Sequence, residues 1–296
     1  MTKYFAAITG RDYITAPDGT KIPFWDMLDN QPGGWLTSIA NVKKGIPNHS
    51  ERIFDCGAWT YKDEEYPVLK GELVDAQYAY KRYTEHCHDG DLLISPDHMI
   101  LPGKDNKKRM GINKRNAEDF IKICQPNYIP TVCIHGDTIE KKLENLYEMK
   151  GLGYKSFALG GLAAIARKRN YCVSVVREVM ENIDIDNDRV HVLGLSSFSF
   201  AKEWIALNVS SFDGASHYLK AMTAGYFYKE NGGHHIAAKP GERIEIPRCN
   251  CRACRVAEEN GGDTRSYGNS INNIGRAAHN LNIAIRIFND YSTNDK

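Results

Sequence analysis

An alternation along the chain restricts its fold more than any other feature. Eight short apolar, β-rich runs recur at 4–8, 35–40, 52–56, 92–95, 128–135, 156–159, 190–195 and 209–212. Between many of them lie stretches of helical spacing or composition, at 74–86, 116–124, 139–149, 171–181 and 199–206. Strands that alternate with helices specify a parallel sheet, because each parallel neighbour needs a long crossover. Eight such units suit a closed barrel better than an open doubly wound sheet. The length of 296 residues fits two average domains or one α/β barrel of roughly 250 residues with an appendage. The alternation favours the second. The expected fold is therefore α/β, a (β/α)8 TIM barrel, as one domain over 1–296. Its first two units are the least regular, since 16–31 is rich in Pro, Gly and Asp and does not read as a clean helix.

After about Ala215 the alternation stops. A Gly/His stretch, 231–235, leads to Cys249, Cys251 and Cys254. A helix then runs over 270–288, with Ile271, Ile274, Ala278, Leu281 and Ile285 on one face, which is expected to dock on the barrel. Five of the eight cysteines (Cys56, Cys87, Cys124, Cys133, Cys172) are scattered singly, while the other three are crowded into six positions. The N-terminal run MTKYFAAITGRDY lacks a basic region followed by a long apolar stretch and a cleavage site, so the chain reads as cytoplasmic and not exported. In that setting crowded cysteines point to a metal rather than to disulfides. Cys249-x-Cys251-x2-Cys254, followed after 24 residues by His279, offers the donor set of a closed, structural Cys3His zinc site. His234 and His235 compete for the fourth place. One structural Zn2+ and a C-terminal zinc-binding subdomain at about 230–290 are expected. A zinc nucleobase deaminase is disfavoured, because its Pro-Cys-x-x-Cys element is missing: Cys251-x2-Cys254 follows Asn250.

In an eight-fold barrel the working residues stand where strands end. Those positions hold Asp55 in IFDCGAW, Asp97 in LLISPDH, His135 in VCIHGD, Gly160 and Gly161 in ALGGLA, and Asp213 in SSFDGAS. A single Asp at such a place more often caps a helix or starts a turn. Three facing one mouth change that balance. Two carboxylates flanking an anomeric carbon are the equipment for glycosidic substitution with retention, one attacking C1′ and the other moving the proton of the leaving and entering groups. A Gly-Gly pair after a strand lets a flat ligand approach backbone amides.

The segments FALGGLA (157–163), HVLGLSS (191–197) and SFDGAS (211–216), followed by the Cys249/Cys251/Cys254/His279 array, resemble the tRNA-guanine transglycosylase superfamily, and IFDCGAW (53–59) resembles its DSGG-type element. The likeness covers roughly residues 50–285. It implies a zinc-bearing (β/α)8 barrel that exchanges guanine in nucleic acid for a free 7-deazaguanine base. By the same resemblance Asp213 is the nucleophile on C1′ and Asp55 the general acid/base. Asp97 reads the N1/N2 edge of the base, while Gly160, Gly161 and Leu162 supply backbone contacts and a packing surface. His135 stands among the substrate-binding residues, where tRNA enzymes commonly carry Gln. After Asp213 the run is Gly-Ala-Ser-His-Tyr and not the Arg-containing element usual in tRNA enzymes, and no appended RNA-binding domain of the archaeal type is evident. The resemblance therefore leans to the superfamily's DNA-modifying branch of phages and bacteria, which inserts bases such as 7-cyano-7-deazaguanine; a phage-encoded chain would work in the host cytoplasm. Its alternatives are a tRNA-acting enzyme and a non-catalytic nucleic-acid-binding paralogue.

Charge adds one polymer-facing feature. Lys+Arg total 38 against 37 for Asp+Glu, which gives +1 and no global basic field. Locally, Lys104, Lys107, Lys108, Arg109, Lys114 and Arg115 face only Asp105 in a run directly after the Asp97 strand end, placed for phosphate contact. Arg248, Arg252 and Arg255 around the cysteines either offset the charge of a thiolate centre or reach a phosphate. Composition, with 42% hydrophobic and 25% charged residues, excludes a disordered or fibrous chain. No apolar run is long enough for a membrane span. A metal-assisted barrel hydrolase is disfavoured, since no His/Asp ligand set is evident at the strand ends. A homodimer is left open.

Overall fold

The computed structural model describes residues 1–8, 12–41, 47, 50–237 and 239–294. Eight strands, β1 (Lys3–Ile8), β2 (Gly34–Ser38), β3 (Glu51–Asp55), β4 (Leu92–Ile94), β5 (Ile129–Ile134), β6 (Ser156–Leu159), β7 (Arg189–Val192) and β8 (Ser211–Gly214), close into a barrel. Neighbours pair in parallel, as in Leu36↔Ile53 between β2 and β3 and Leu159↔Val192 between β6 and β7. Every run expected to be a strand is a barrel strand, with ends displaced by a few residues. The expected 190–195 run stops at Val192, and Gly194 already has a left-handed φ of 73°.

The helices are α1 (Ala76–Thr84), α2 (Asn106–Ile123), α3 (Ile139–Gly151), α4 (Arg169–Glu181), α5 (Phe198–Ala206), α6 (Ser216–Ala224), α7 (Arg252–Glu259) and α8 (Ser270–Asn294). Helix α2 starts ten residues before the expected 116, so the basic run is helical. Asp105 caps it by accepting the Lys108 N–H at 3.0 Å. Its inward face, Arg109, Ile112, Asn113, Asn116, Ala117 and Phe120, keeps helical spacing, but three polar members hide the periodicity from a hydropathy reading. Between β1 and β2 the described residues hold a hairpin (Tyr13–Thr15 with Lys21–Pro23) and a 3-10 turn (Phe24–Met27) in place of a helix, in line with the Pro/Gly-rich sequence there.

Inside the barrel Phe5, Leu36, Ile53, Leu92, Ile94, Cys133 and Ala158 form one cluster. Bulk on one strand demands its absence on the next: a Cβ on Gly34, the register partner of Phe5, would stand 2.2 Å from the Phe5 ring. Outward-facing Phe54 and Leu93 pack with Ala79, Tyr83 and Phe120 of α1 and α2. The alternation along β3 and β4 divides the two cores.

The chain folds as two compact units. The first contains Met1–Ile8, Gly33–Leu195 and Glu203–Asp213; the second contains Thr9–Pro32, Ser196–Lys202 and Gly214–Lys296. Within the second, α8 packs against α6, α7, the Phe24–Met27 turn and the strand Tyr226–Tyr228, itself paired with His234–Ile236. No helix among the described residues is long and apolar enough to cross a membrane.

In the first unit a buried ion pair links the starts of β3 and β4. Arg52 donates through Nη2 to Asp91 Oδ2 at 2.6 Å and through Nε to Oδ1 at 3.2 Å, and Asp91 also accepts the His88 N–H at 2.7 Å. Removing one partner strands the other charge in the interior. Asp91→Ala is expected to destabilise the fold by about 3–5 kcal/mol, measured by urea unfolding. A loss under 1 kcal/mol would show that the pair is dispensable.

Candidate active site and metal centre

The strand ends of the first unit gather Asp55, Asp97, His135 and Asp213, as expected from the sequence. Asp213 is the next-to-last residue of β8 and is almost fully buried. Its Oδ1 accepts two hydrogen bonds, from the Gly194 N–H at 2.8 Å and from His191 Nε2 at 3.1 Å. The His191 ring is itself fixed, with Nδ1 2.8 Å from Ser211 Oγ. The simplest proton assignment has Ser211 donating to Nδ1 and Nε2–H donating to Asp213. Both anchors fall on Oδ1, and Oδ2 is left without a partner among the described residues.

Asp97 is held from three directions. Burial pushes the Cys56 thiol well above its usual range, so the sulfur keeps its proton and donates to Asp97 Oδ1 at 3.1 Å. Tyr61 Oη lies 3.1 Å from Cys56 Sγ and 3.0 Å from the Asp97 carbonyl oxygen. His135 Nε2 approaches Asp97 Oδ2 to 3.0 Å without hydrogen-bond alignment. The His135 backbone N–H donates to Asn145 Oδ1 on α3 at 2.9 Å, which fixes the residue against that helix.

Asp55 ends β3, half-buried, and accepts the Gly57 N–H at 2.8 Å. Burial, with repulsion from Asp97 and then Asp213, pushes its carboxyl up to about 7. A carboxyl raised in this way is neutral in the folded protein over a range where the unfolded chain has ionised. Stability is therefore withdrawn as pH rises from about 4 towards 7. Asp55→Asn should raise the midpoint of thermal unfolding at pH 7 to 8 and leave it unchanged near pH 3. An unchanged midpoint at both would show that Asp55 is not strained.

Gly160, Gly161 and Leu162 share a cavity of about 720 Å3 with His135. A Cβ on Gly160 would stand 3.9 Å from Cys133 Sγ and 4.0 Å from His135 Cε1, so the missing side chain leaves that wall open. Gly161 has φ of 78°, the left-handed turn that starts the Leu162–Ile165 segment and that a side chain would strain.

The structure removes one member of the basic run from the surface. Arg109 is buried and donates to the carbonyls of Met99, Lys62 and Glu64, so its charge is committed to the fold and not to a surface. Lys104 pairs with Asp63, Lys108 with Glu65 and Lys114 with Glu148. Lys107 and Arg115 have no ion-pair partner among the described residues. A second donor set is not evident from sequence spacing. Asp97, Cys133 and His135 bring three potential metal donors within 4.8 Å at the strand ends. Burial keeps the Cys133 thiol protonated, so it is a poor ligand as it stands.

His191, Cys56 and Tyr61 were not singled out in the sequence. His191 carries a signal: it is the next-to-last residue of an otherwise apolar strand end, where its ring meets Phe5 of the barrel interior.

In the second unit Cys249, Cys251, Cys254 and His279 place their donor atoms within 4.8 Å of one another. His279 Nδ1 lies 3.4 Å from Cys251 Sγ and 3.7 Å from Cys254 Sγ, close to the roughly 3.5–3.8 Å between ligands of a tetrahedral ion bonded at about 2.3 Å to sulfur and 2.1 Å to nitrogen. His279 Nε2 is 2.9 Å from the Tyr228 carbonyl oxygen, which accepts a hydrogen bond from Nε2–H and leaves the Nδ1 lone pair facing the sulfurs. His234 instead stacks on Tyr226, and neither it nor His235 is in the cluster. The four residues fit a metal ion. One tightly held ion per chain is expected by elemental analysis, and Cys254→Ser should lose it; a metal-free wild-type chain that keeps its unfolding transition would refute this.

The barrel and its acidic mouth thus define a protein of the (β/α)8 class with a Cys3His metal-type cluster. No protein-family model matches the chain. Its sequence is similar to a DNA-guanine transglycosylase of Salmonella montevideo, 24% identical over 216 residues, which make up 69% of this chain and 49% of that protein. The chain spans about half the length of this curated relative. The similarity agrees with the resemblance to the guanine transglycosylase superfamily and its DNA-modifying branch drawn from the motifs.

Proposed function

We propose that the protein is a base-exchange transglycosylase that replaces guanine in DNA with a 7-deazaguanine base, by double displacement at C1′. The observation that carries this reading is the one-sided anchoring of Asp213, with Asp55 near enough for its charge to be felt. The unanchored Oδ2 attacks C1′; the C1′–N9 bond breaks and its electron pair goes to the departing base, which takes the Asp55 proton. The incoming base gives its N9 proton to Asp55, and N9 then attacks C1′ and expels the Asp213 carboxylate. Two inversions retain the configuration. A carboxyl lifted to about 7 suits Asp55 to both proton transfers near neutral pH.

Asp97 is assigned to the N1/N2 edge of the base, with the Cys56 thiol and His135 keeping its carboxylate in place. Gly160 and Gly161 allow close approach of the ring, and Leu162 forms the floor behind them. The target nucleoside has to leave a duplex to reach the cavity. Lys107 and Arg115, with the surface-paired Lys108 and Lys114, are the cations available to phosphates, since exposed ion pairs are worth little and exchange readily. Zn2+ is the ion assigned to Cys249, Cys251, Cys254 and His279, where four protein ligands make its role structural. The relative's name, which states DNA as its substrate, supports DNA over tRNA.

Incubating the chain with DNA and labelled base should give label in DNA and not in tRNA, together with a protein–DNA adduct on denaturing gels. Asp213→Asn should abolish the adduct and lower exchange by about 10^4-fold or more while metal content stays at the wild-type level. Full exchange by Asp213→Asn would sink the nucleophile assignment, and label in tRNA alone would turn the reading to that polymer. Tight DNA binding with no exchange would make the chain a non-catalytic paralogue.

A further inference from the structure

A bound guanine-like base has three edges, and the reading above uses two. Asp97 takes N1/N2, and Asp55 with Asp213 takes N9 and the sugar. The remaining edge, which carries O6 and position 7, is left to His135, Gly160 and the cavity. That cavity also runs along α3 and the Leu162–Ile165 turn, where its lining includes Lys142, Ile165 and Lys168.

Lys142 is unusual there. It lies on the inward face of α3 with Asn145, Leu146 and Met149 and is 6% exposed. Its ammonium has no ion pair or hydrogen bond among the described residues. Asp137 is already paired with Lys141 at 2.8 Å. Burial pulls the Lys142 ammonium down to about 8, against weaker support from Cys133 and Asp137. An unpaired buried cation is costly to a fold, and Leu or Met would serve α3 packing better. The neighbouring α3 residue Asn145 already braces His135 in the proposed base site.

We propose that Lys142 reads the group carried at position 7 of the incoming base, donating a hydrogen bond to a neutral acceptor such as a nitrile nitrogen or a carboxamide oxygen and rejecting a cationic aminomethyl group. This rests on the base-exchange reading and names the substrate class within it. A positively charged wall penalises a second cation in low dielectric, while an acceptor supplies the partner that the ammonium lacks. Base choice is then set by the substituent and not by the guanine-like edge that all candidates share.

The test compares wild type with Lys142→Met, a variant of similar length without charge. Each is given DNA and, in turn, 7-cyano-7-deazaguanine, 7-aminomethyl-7-deazaguanine and unsubstituted 7-deazaguanine. Wild type should prefer the nitrile base. In Lys142→Met the kcat/KM ratio of nitrile to unsubstituted base should fall on the order of tenfold or more, and the aminomethyl base should gain relative to both. A thermal midpoint at or above wild type would show the variant folded. Unchanged ratios in a chain that exchanges bases would overturn the Lys142 assignment alone. If no base is exchanged by wild type, the base-exchange reading fails, and calorimetric titration of the three free bases decides for Lys142. Tighter binding of the nitrile base that is lost in Lys142→Met supports it; equal affinities, or no binding of any base, overturn it.

Discussion

Closure of a parallel sheet is the constraint from which the first unit takes its form. Once eight strands run the same way around a ring, their C-terminal ends share one rim, and residues far apart in sequence meet there. Asp55, Asp97 and Asp213 are brought together in this way at an electrostatic cost. Three different arrangements meet it. Asp55 keeps its proton near neutral pH, Asp213 leans on the Gly194 N–H and the His191 ring, and Asp97 receives the Cys56 thiol while His135 stands beside it. The result is a site in which one carboxyl is pushed up to about 7 and another is anchored through one oxygen only. Differences of this kind come from unequal environments around like groups.

The second unit solves a different problem. The segment before Cys251 has little regular structure while Cys254 lies on α7, and a soft four-donor set links both to the middle of α8. The Tyr228 carbonyl selects the His279 tautomer by accepting a hydrogen bond from Nε2–H, and Phe227 stacks on the same ring at 3.9 Å. Backbone and packing thereby orient the imidazole before any ion is considered, a pattern expected where outer contacts fix a metal ligand.

Much of the barrel was legible because hydrophobic alternation is local: each strand announces itself within six residues. The donor residues were legible for a related reason, since cysteine crowding and acids at strand ends need no knowledge of contacts. The misses share a cause. Helix α2 was shortened because Arg109, Asn113 and Asn116 occupy its buried face, and their suitability depends on carbonyls supplied by other segments. For the same reason, sequence alone cannot tell the fold-committed Arg109 from a phosphate cation. Helices α6 and α7 are short, and α7 is interleaved with the cysteine spacing that drew the reading to metal chemistry.

By itself, the sequence determined the strand count, the parallel order that follows from it, and which residues carry reactive groups. The tertiary structure decided what each group can do. Nothing local in HVLGLSS says that His191 will meet Asp213 22 positions away, that Cys56 will keep its proton against Asp97, or that Lys142 will stand buried without a partner. Composition and periodicity are properties of neighbours along the chain, whereas pKa, hydrogen-bond satisfaction and cavity shape depend on neighbours in space.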